Sequence, residues 1–196
     1  AARNNDVTFA SSAEHAQRRT ELVSINRPQD EVYRFWRNFQ NLPLFMAHLD
    51  AVELLDERRP RWSVTGPANK TFEWTAEIVE DRENELIAWR SLEGSGVHNA
   101  GIVQFLRAPG GRGTIVRLDF GFSAPGGKIG TTMAKLTGND PGQMAKSDLR
   151  RLKQVLEIGE VVHSDASIHR GMHPARPSRE LPEMRVLTAF GSEVTP

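Results

Sequence analysis

The chain has 196 residues, 38% hydrophobic and 26% charged, and Lys plus Arg balance Asp plus Glu at 25 each. One domain is the default at this length, and the zero net charge leaves no long-range field to draw nucleic acid or an anionic membrane. With no cysteine, disulfides, thiolate nucleophiles and Cys-ligated zinc or iron–sulfur centres are excluded.

Residues 1–18 have no clear period and are expected to form a flexible N-terminal arm; they lack the continuous apolar run of a secretory signal. The first residue is not Met, which is compatible with processing or with an upstream segment. A strand is predicted over Arg19–Asn26, with Val23 and Ile25 on one side. Pro28 then opens a helix, where its fixed φ and missing N–H are harmless, and Val32, Phe35, Trp36 and Phe39 give that helix an apolar face. Pro43 interrupts it, and Leu44, Phe45 and Met46 read as a second short helix or turn.

Six further strands are expected near residues 48–55, 61–66, 71–80, 86–91, 97–107 and 113–122. Pro60, Gly66-Pro67, Asn84, Gly94-Ser95-Gly96 and Pro109-Gly110-Gly111 mark the breaks. Within them apolar residues alternate with polar ones. Phe72, Trp74, Ala76 and Ile78 share one parity, as do Ile87 and Trp89, Val103 and Phe105, and Val116, Leu118, Phe120 and Phe122. Successive strand side chains point to opposite faces, so this is a sheet covered on one side only. Short connections favour antiparallel pairing, and the class is α+β.

From Pro125 the period changes. Ile129, Met133 and Leu136 form a first helical stripe, which Gly138 can end. Asp140 reads as the N-cap of a long helix over 141–158, with Pro141 at N1 and Gln143 at N3 in a capping-box arrangement. Ala145, Leu149, Leu152 and Leu156 form its apolar stripe, and Gly159 can end it. Beyond residue 160 the chain is rich in Pro, Arg and His and reads as a largely irregular tail, with at most one short element near Met184–Phe190.

The order of elements resembles the helix-grip fold of the START-like (SRPBCC) superfamily. Ile25-Asn26-Arg27-Pro28, Phe39-Gln40-Asn41-Leu42-Pro43, Glu73-Trp74, Leu86-Ile87-Ala88-Trp89-Arg90-Ser91, Asn99-Ala100-Gly101 and Gly111-Arg112-Gly113-Thr114 are similar to its bacterial polyketide cyclase/dehydrase-like branch. The resemblance covers about residues 20–160, within a helix-grip domain expected over 19–160. It implies a curved antiparallel sheet of about seven strands, two short helices, and a long C-terminal helix closing an apolar cavity. If so, Trp62, Phe72, Trp74, Trp89, Val103, Phe105, Leu118 and Phe120 line the wall, and Leu149, Leu152 and Leu156 form the lid. Such pockets are typically ~300–1,000 Å³.

The expected occupant is a hydrophobic or aromatic small molecule, lipid or polyketide-like, bound without metal, nucleotide or other cofactor. A cyclase/dehydratase-type enzyme using the same cavity is the first alternative, and a ligand-free interaction or stress-associated domain the second. For the enzyme, His48, Asn99 and Ser91 are the candidates to orient a carbonyl or enolate; parity places His48 and Asp50 with Val52 and Leu54 near the cavity mouth. Glu73, Glu77, Arg117 and Asp119 fall on the solvent face.

Other motifs fail. Gly126-Gly127-Lys128 lacks the Ser/Thr and glycine spacing of a phosphate loop. His163, Asp165, His169 and His173 offer at most an adventitious metal site in the tail. Arg150, Arg151 and Lys153, interrupted by Asp148 and Glu157 and without an aromatic platform, read as a solvated helix face rather than a nucleic-acid surface. No stretch approaches the roughly 20 apolar residues of a membrane span, so the expected location is the cytoplasm. The residues carry no signal for oligomeric state.

Overall fold

The computed structural model describes residues 19–65, 69, 71–95, 97–123 and 140–161, apart from the side chains of residues 98, 122 and 123. All belong to the first of two units, residues 1–162; the second spans 163–196. The expected arm, the stripe from Ile129 to Leu136 and the tail with its histidines therefore lie outside the described residues.

Seven strands form one antiparallel sheet: β1 Arg19–Ile25, β2 Leu49–Asp56, β3 Arg59–Thr65, β4 Thr71–Arg82, β5 Leu86–Ser91, β6 His98–Arg107 and β7 Thr114–Ser123. They lie in the order β1-β7-β6-β5-β4-β3-β2, so a meander from β2 to β7 is completed by β1 returning alongside β7. The helices are α1 Gln29–Arg37, α2 Leu42–Phe45 and α3 Pro141–Ile158, with a 3₁₀ turn over Phe39–Asn41. This is the helix-grip arrangement, α+β. Among the described residues no helix is long and apolar enough to cross a membrane.

Strand β4 lies between β3 and β5. Its first half, Thr71–Thr75, pairs with β3, and its second, Ala76–Arg82, with β5, with a register irregularity between Ile78 and Glu80. Such an irregularity marks a bulge, which bends its strand and increases the local twist. The buried alternation of β4 follows the expected parity, with Trp74, Ala76 and Ile78 inside.

Two local expectations are corrected. Pro60 does not break the chain: it lies within β3 opposite Leu54, and the reversal falls at Glu57-Arg58, where the Asp56 carboxylate accepts the Arg58 N–H at 2.9 Å. Pro is tolerated there because it sits next to the strand's first residue, at the hairpin mouth. In β2 the register shifts between Leu49 and Ala51, so Leu49 and Val52 turn inward while Leu54 is exposed. The shift breaks the single parity assumed for His48, Asp50, Val52 and Leu54.

Helix α3 starts as expected, with the Asp140 carboxylate accepting the Gln143 N–H at 3.1 Å, and ends at Gly159 with φ of 89°. Ala145, Leu149, Leu152 and Leu156 are buried, and the helix packs mainly on β1 and α2. Helix α1 buries Val32, Tyr33 and Trp36, with Pro28 at its N-cap. Tyr33 and Trp36 meet Phe105 edge-on at 5.6 and 6.2 Å between ring centroids, sealing that end of the concave face.

Asp81 joins α1 to β4, accepting from the Tyr33 hydroxyl at 2.6 Å and from Arg37 Nε at 2.6 Å. Burial first, then the hydrogen bond to Asp81 and its negative charge, push the Tyr33 hydroxyl up to about 12 from 10.0. Between those values the folded chain holds a proton that the unfolded chain has lost, so this contribution is complete below about pH 10 and disappears as pH rises toward 12. Urea midpoints measured from pH 9 to 11 are expected to fall more steeply for the native chain than for Tyr33→Phe.

Candidate ligand-binding site

Between the concave face and the N-terminal half of α3 lies a void of about 60 Å³. Three tryptophans on adjacent strands make its wall. Trp62 on β3 stands directly opposite Trp74 on β4, their rings stacked at 6.1 Å and 12°. Trp89 on β5 stacks on the other side of Trp62, at 6.4 Å and 24°. All three are over nine-tenths buried.

Trp89 is held by two features of β6. Its indole lies across Gly101, where a Cβ would come within 2.3 Å of Cζ2, so only glycine leaves room for the ring. Its Nε1 donates to Asn99 Oδ1 at 2.7 Å. That bond fixes the amide orientation and leaves the Asn99 Nδ2 as a donor at the cavity. Trp62 and Trp74 differ: among the described residues neither indole Nε1 has a hydrogen-bond partner, although both atoms are buried. Leaving such a donor unpaired costs about 1–3 kcal/mol.

The polar pole of the cavity is His48 with Asp148. Asp148 lies on α3 with its side chain only 4% exposed; its Oδ2 is 3.3 Å from His48 Nδ1, and its Oδ1 accepts from Arg151. Arg151 Nε also donates to the Phe45 carbonyl at 2.7 Å, tying α3 to α2. The carboxylate beside Nδ1 orients the imidazole. A buried carboxylate is tolerated when paired in this way.

Of the sequence-predicted wall, Trp62, Trp74, Trp89, Leu118 and Phe120 line the void, together with His48 and Asn99. Val103 and Phe105 are buried but do not line it, Phe105 lying beneath Tyr33 and Trp36. Phe72 is half-buried at the core's margin. Leu149, Leu152 and Leu156 are core residues outside the lining; Met144, Ala145 and Asp148 from the first half of α3 face the void instead. Ser91 is likewise not in the lining: its Oγ accepts the Asn99 backbone N–H at 3.0 Å.

Asp148 escaped the sequence reading, as did the lining roles of Trp36, Phe39 and Met46. A signal for Asp148 existed: it stands three residues after Ala145 and four before Leu152, inside the apolar stripe. Of the basic cluster on α3, Arg150 is exposed, while Arg151 and Lys153 are tied to neighbouring elements. Arg151 turns inward, and Lys153 Nζ donates to the Ser24 carbonyl at 2.7 Å.

The fold and its apolar, tryptophan-walled cavity define a START-like helix-grip protein. Residues 25–150 match the family described as polyketide cyclase / dehydrase and lipid transport, and the chain belongs to it. It is similar to a Deinococcus radiodurans protein of known structure, with 38% identity, a TM-score of 0.61, and coverage of 73% of this chain and 98% of that one. An uncharacterised 17.2 kDa protein of Streptomyces lincolnensis is 26% identical over 138 residues, 70% of this chain and 87% of that protein. The Zhui aromatase/cyclase of Streptomyces sp. R1128 shares the fold at 19% identity, with a TM-score of 0.57 over 76% of this chain and all of that one.

Gly101→Val should drive the Trp89 ring off β6 and break its bond to Asn99. The expected result is a loss of about 1–3 kcal/mol in denaturant unfolding, as for overpacking generally, with a shifted tryptophan emission maximum.

Proposed function

We propose that this chain binds a hydrophobic, ring-bearing small molecule between its sheet and α3. The observation that carries this reading is the wall of three stacked indoles, Trp62, Trp74 and Trp89, facing a void with His48, Asn99 and Asp148 as its polar side chains. Flat rings offer large apolar contact at low entropic cost, and a few polar groups orient the guest. The family description, which includes lipid transport, supports the same reading. Saturable quenching of tryptophan emission by 1-anilinonaphthalene-8-sulfonate, or an organic adduct of the purified protein in native mass spectrometry, is the expected result. No quenching and no adduct would favour the ligand-free interaction domain instead.

A second reading, a cyclase/dehydratase-type enzyme, is favoured by the His48–Asp148 pair. In it, neutral His48 takes the proton from carbon next to a ligand carbonyl. The resulting enolate carbon bonds to a second carbonyl carbon of the same molecule, and the alkoxide formed there takes the proton back from His48. Asp148 acts as a positioning residue for the imidazole and Asn99 Nδ2 as a donor to the enolate oxygen. On a β-polycarbonyl substrate, His48→Ala is expected to lower turnover by about 10²-fold or more while changing ligand uptake little. Equal loss of turnover and uptake would leave simple binding.

A further inference from the structure

A second hollow lies away from the sheet–helix cavity. It is an open cleft of about 560 Å³ between the β1–α1 connection, the β4–β5 turn and the β6–β7 connection, and it shares no lining residue with the tryptophan-walled void. Its size falls within the ~300–1,000 Å³ of small-molecule sites.

Gln29 holds the cleft together. From the first residue of α1 its Nε2 donates to the Asn84 carbonyl at 2.6 Å and to the Phe105 carbonyl at 2.7 Å, and its Oε1 accepts from Arg107 Nε at 3.2 Å. One side chain thus ties the three walls to each other and orients the Arg107 guanidinium. The other charged groups of the lining are already matched. Arg27 donates to the Leu156 and Glu157 carbonyls and faces Glu31 at 3.5 Å, and Asp30 pairs with Arg34 at 2.5 Å. Among the described residues Arg107 has no carboxylate partner, so its terminal N–H groups and its charge remain for a guest. The first turn of α1, from Pro28 to Asp30, is part of the same lining, and no side chain caps its amides. Both features favour an anion.

We propose that this cleft is a second binding site, for an organic monocarboxylate. Arg27 and Arg107 bring two positive charges to the lining and Asp30 one negative, an excess that one carboxylate neutralises and a phosphate dianion overshoots. The planar guanidinium fork of Arg107 takes the two carboxylate oxygens side by side. The body of the guest rests against Pro28, Ala108, Gly111 and Gly113, which present ring carbons, a methyl group and bare backbone. Arg107 is the binding residue of this site and Gln29 its positioning residue.

The test titrates the full chain at neutral pH with benzoate and with its neutral counterpart benzamide, followed in proton–nitrogen correlation spectra. Benzoate is expected to shift the backbone amide peaks of Gln29, Asp30, Asn84 and Gly111 saturably and to leave the indole peaks of Trp62, Trp74 and Trp89 in place. Benzamide should bind about tenfold more weakly, as the loss of a hydrogen bond between charged groups implies. Arg107→Gln, at an exposed position, should fold as the native chain does and weaken benzoate binding by about the same factor. Arg150→Gln, which removes an exposed arginine on α3 outside the cleft, should leave it unchanged. No saturable shift at millimolar benzoate, equal affinity for benzamide, or equal losses in the two arginine variants overturns the proposal. Tighter binding of phenyl phosphate than of benzoate overturns the choice of a carboxylate. Shifts confined to the indole peaks put benzoate in the other cavity, which overturns the second site and leaves the hydrophobic-binding reading standing.

Discussion

Helix α3 meets the rest of the protein through two different chemistries along its length, and the cavity exists because of that difference. Its second half is anchored: Leu149, Leu152 and Leu156 are buried, and burying such a side chain stabilises by about 1.5–3 kcal/mol. Polar ties fasten the same half. Arg27 Nε donates to the Leu156 carbonyl at 2.6 Å, the Glu157 carboxylate accepts the Asn26 N–H at 2.6 Å, and Lys153 reaches Ser24. The first half carries Gly142, Ala145 and Asp148 at its buried positions. Small side chains and one carboxylate do not fill the concavity as leucines would, so space remains there and not at the other end.

What occupies most of that space is tryptophan. The stack spans β3, β4 and β5, three adjacent strands of the sheet. Curvature converges the side chains of a concave face, so large rings on adjacent strands come into stacking distance. Gly101 is the complementary concession: β6 gives up a side chain so that Trp89 can lie flat. The wall is thus well packed against the strands yet holds two donors out of reach of any partner. Packing and polar satisfaction are in conflict here, a common mark of a site shaped for something other than stability.

His48, Asp148 and Arg151 do structural and chemical work together. Asp148 could not sit on the buried face of α3 uncompensated, and the two cations or donors beside it come from different elements. Arg151 also links α3 to the Phe45 carbonyl of α2. The arrangement holds the His48 ring at the cavity, whether it orients a guest or moves a proton.

The amino-acid sequence by itself determined the elements and their faces. Period-two alternation in β4 to β7 separated the face carrying Trp74, Ile78, Trp89 and Leu118 from the charged one, and Asp140 with Gly159 set the limits of α3, because both signals depend only on residues near in the chain. Tertiary structure alone decided which buried residues border a void: Val103 and Phe105 satisfy the same pattern as Trp89, but α1 packs on β6 there. It also decided that Asp148 meets His48 and that Trp62 and Trp74 lack hydrogen-bond partners. Those facts depend on contacts between segments far apart in sequence, which no local periodicity encodes.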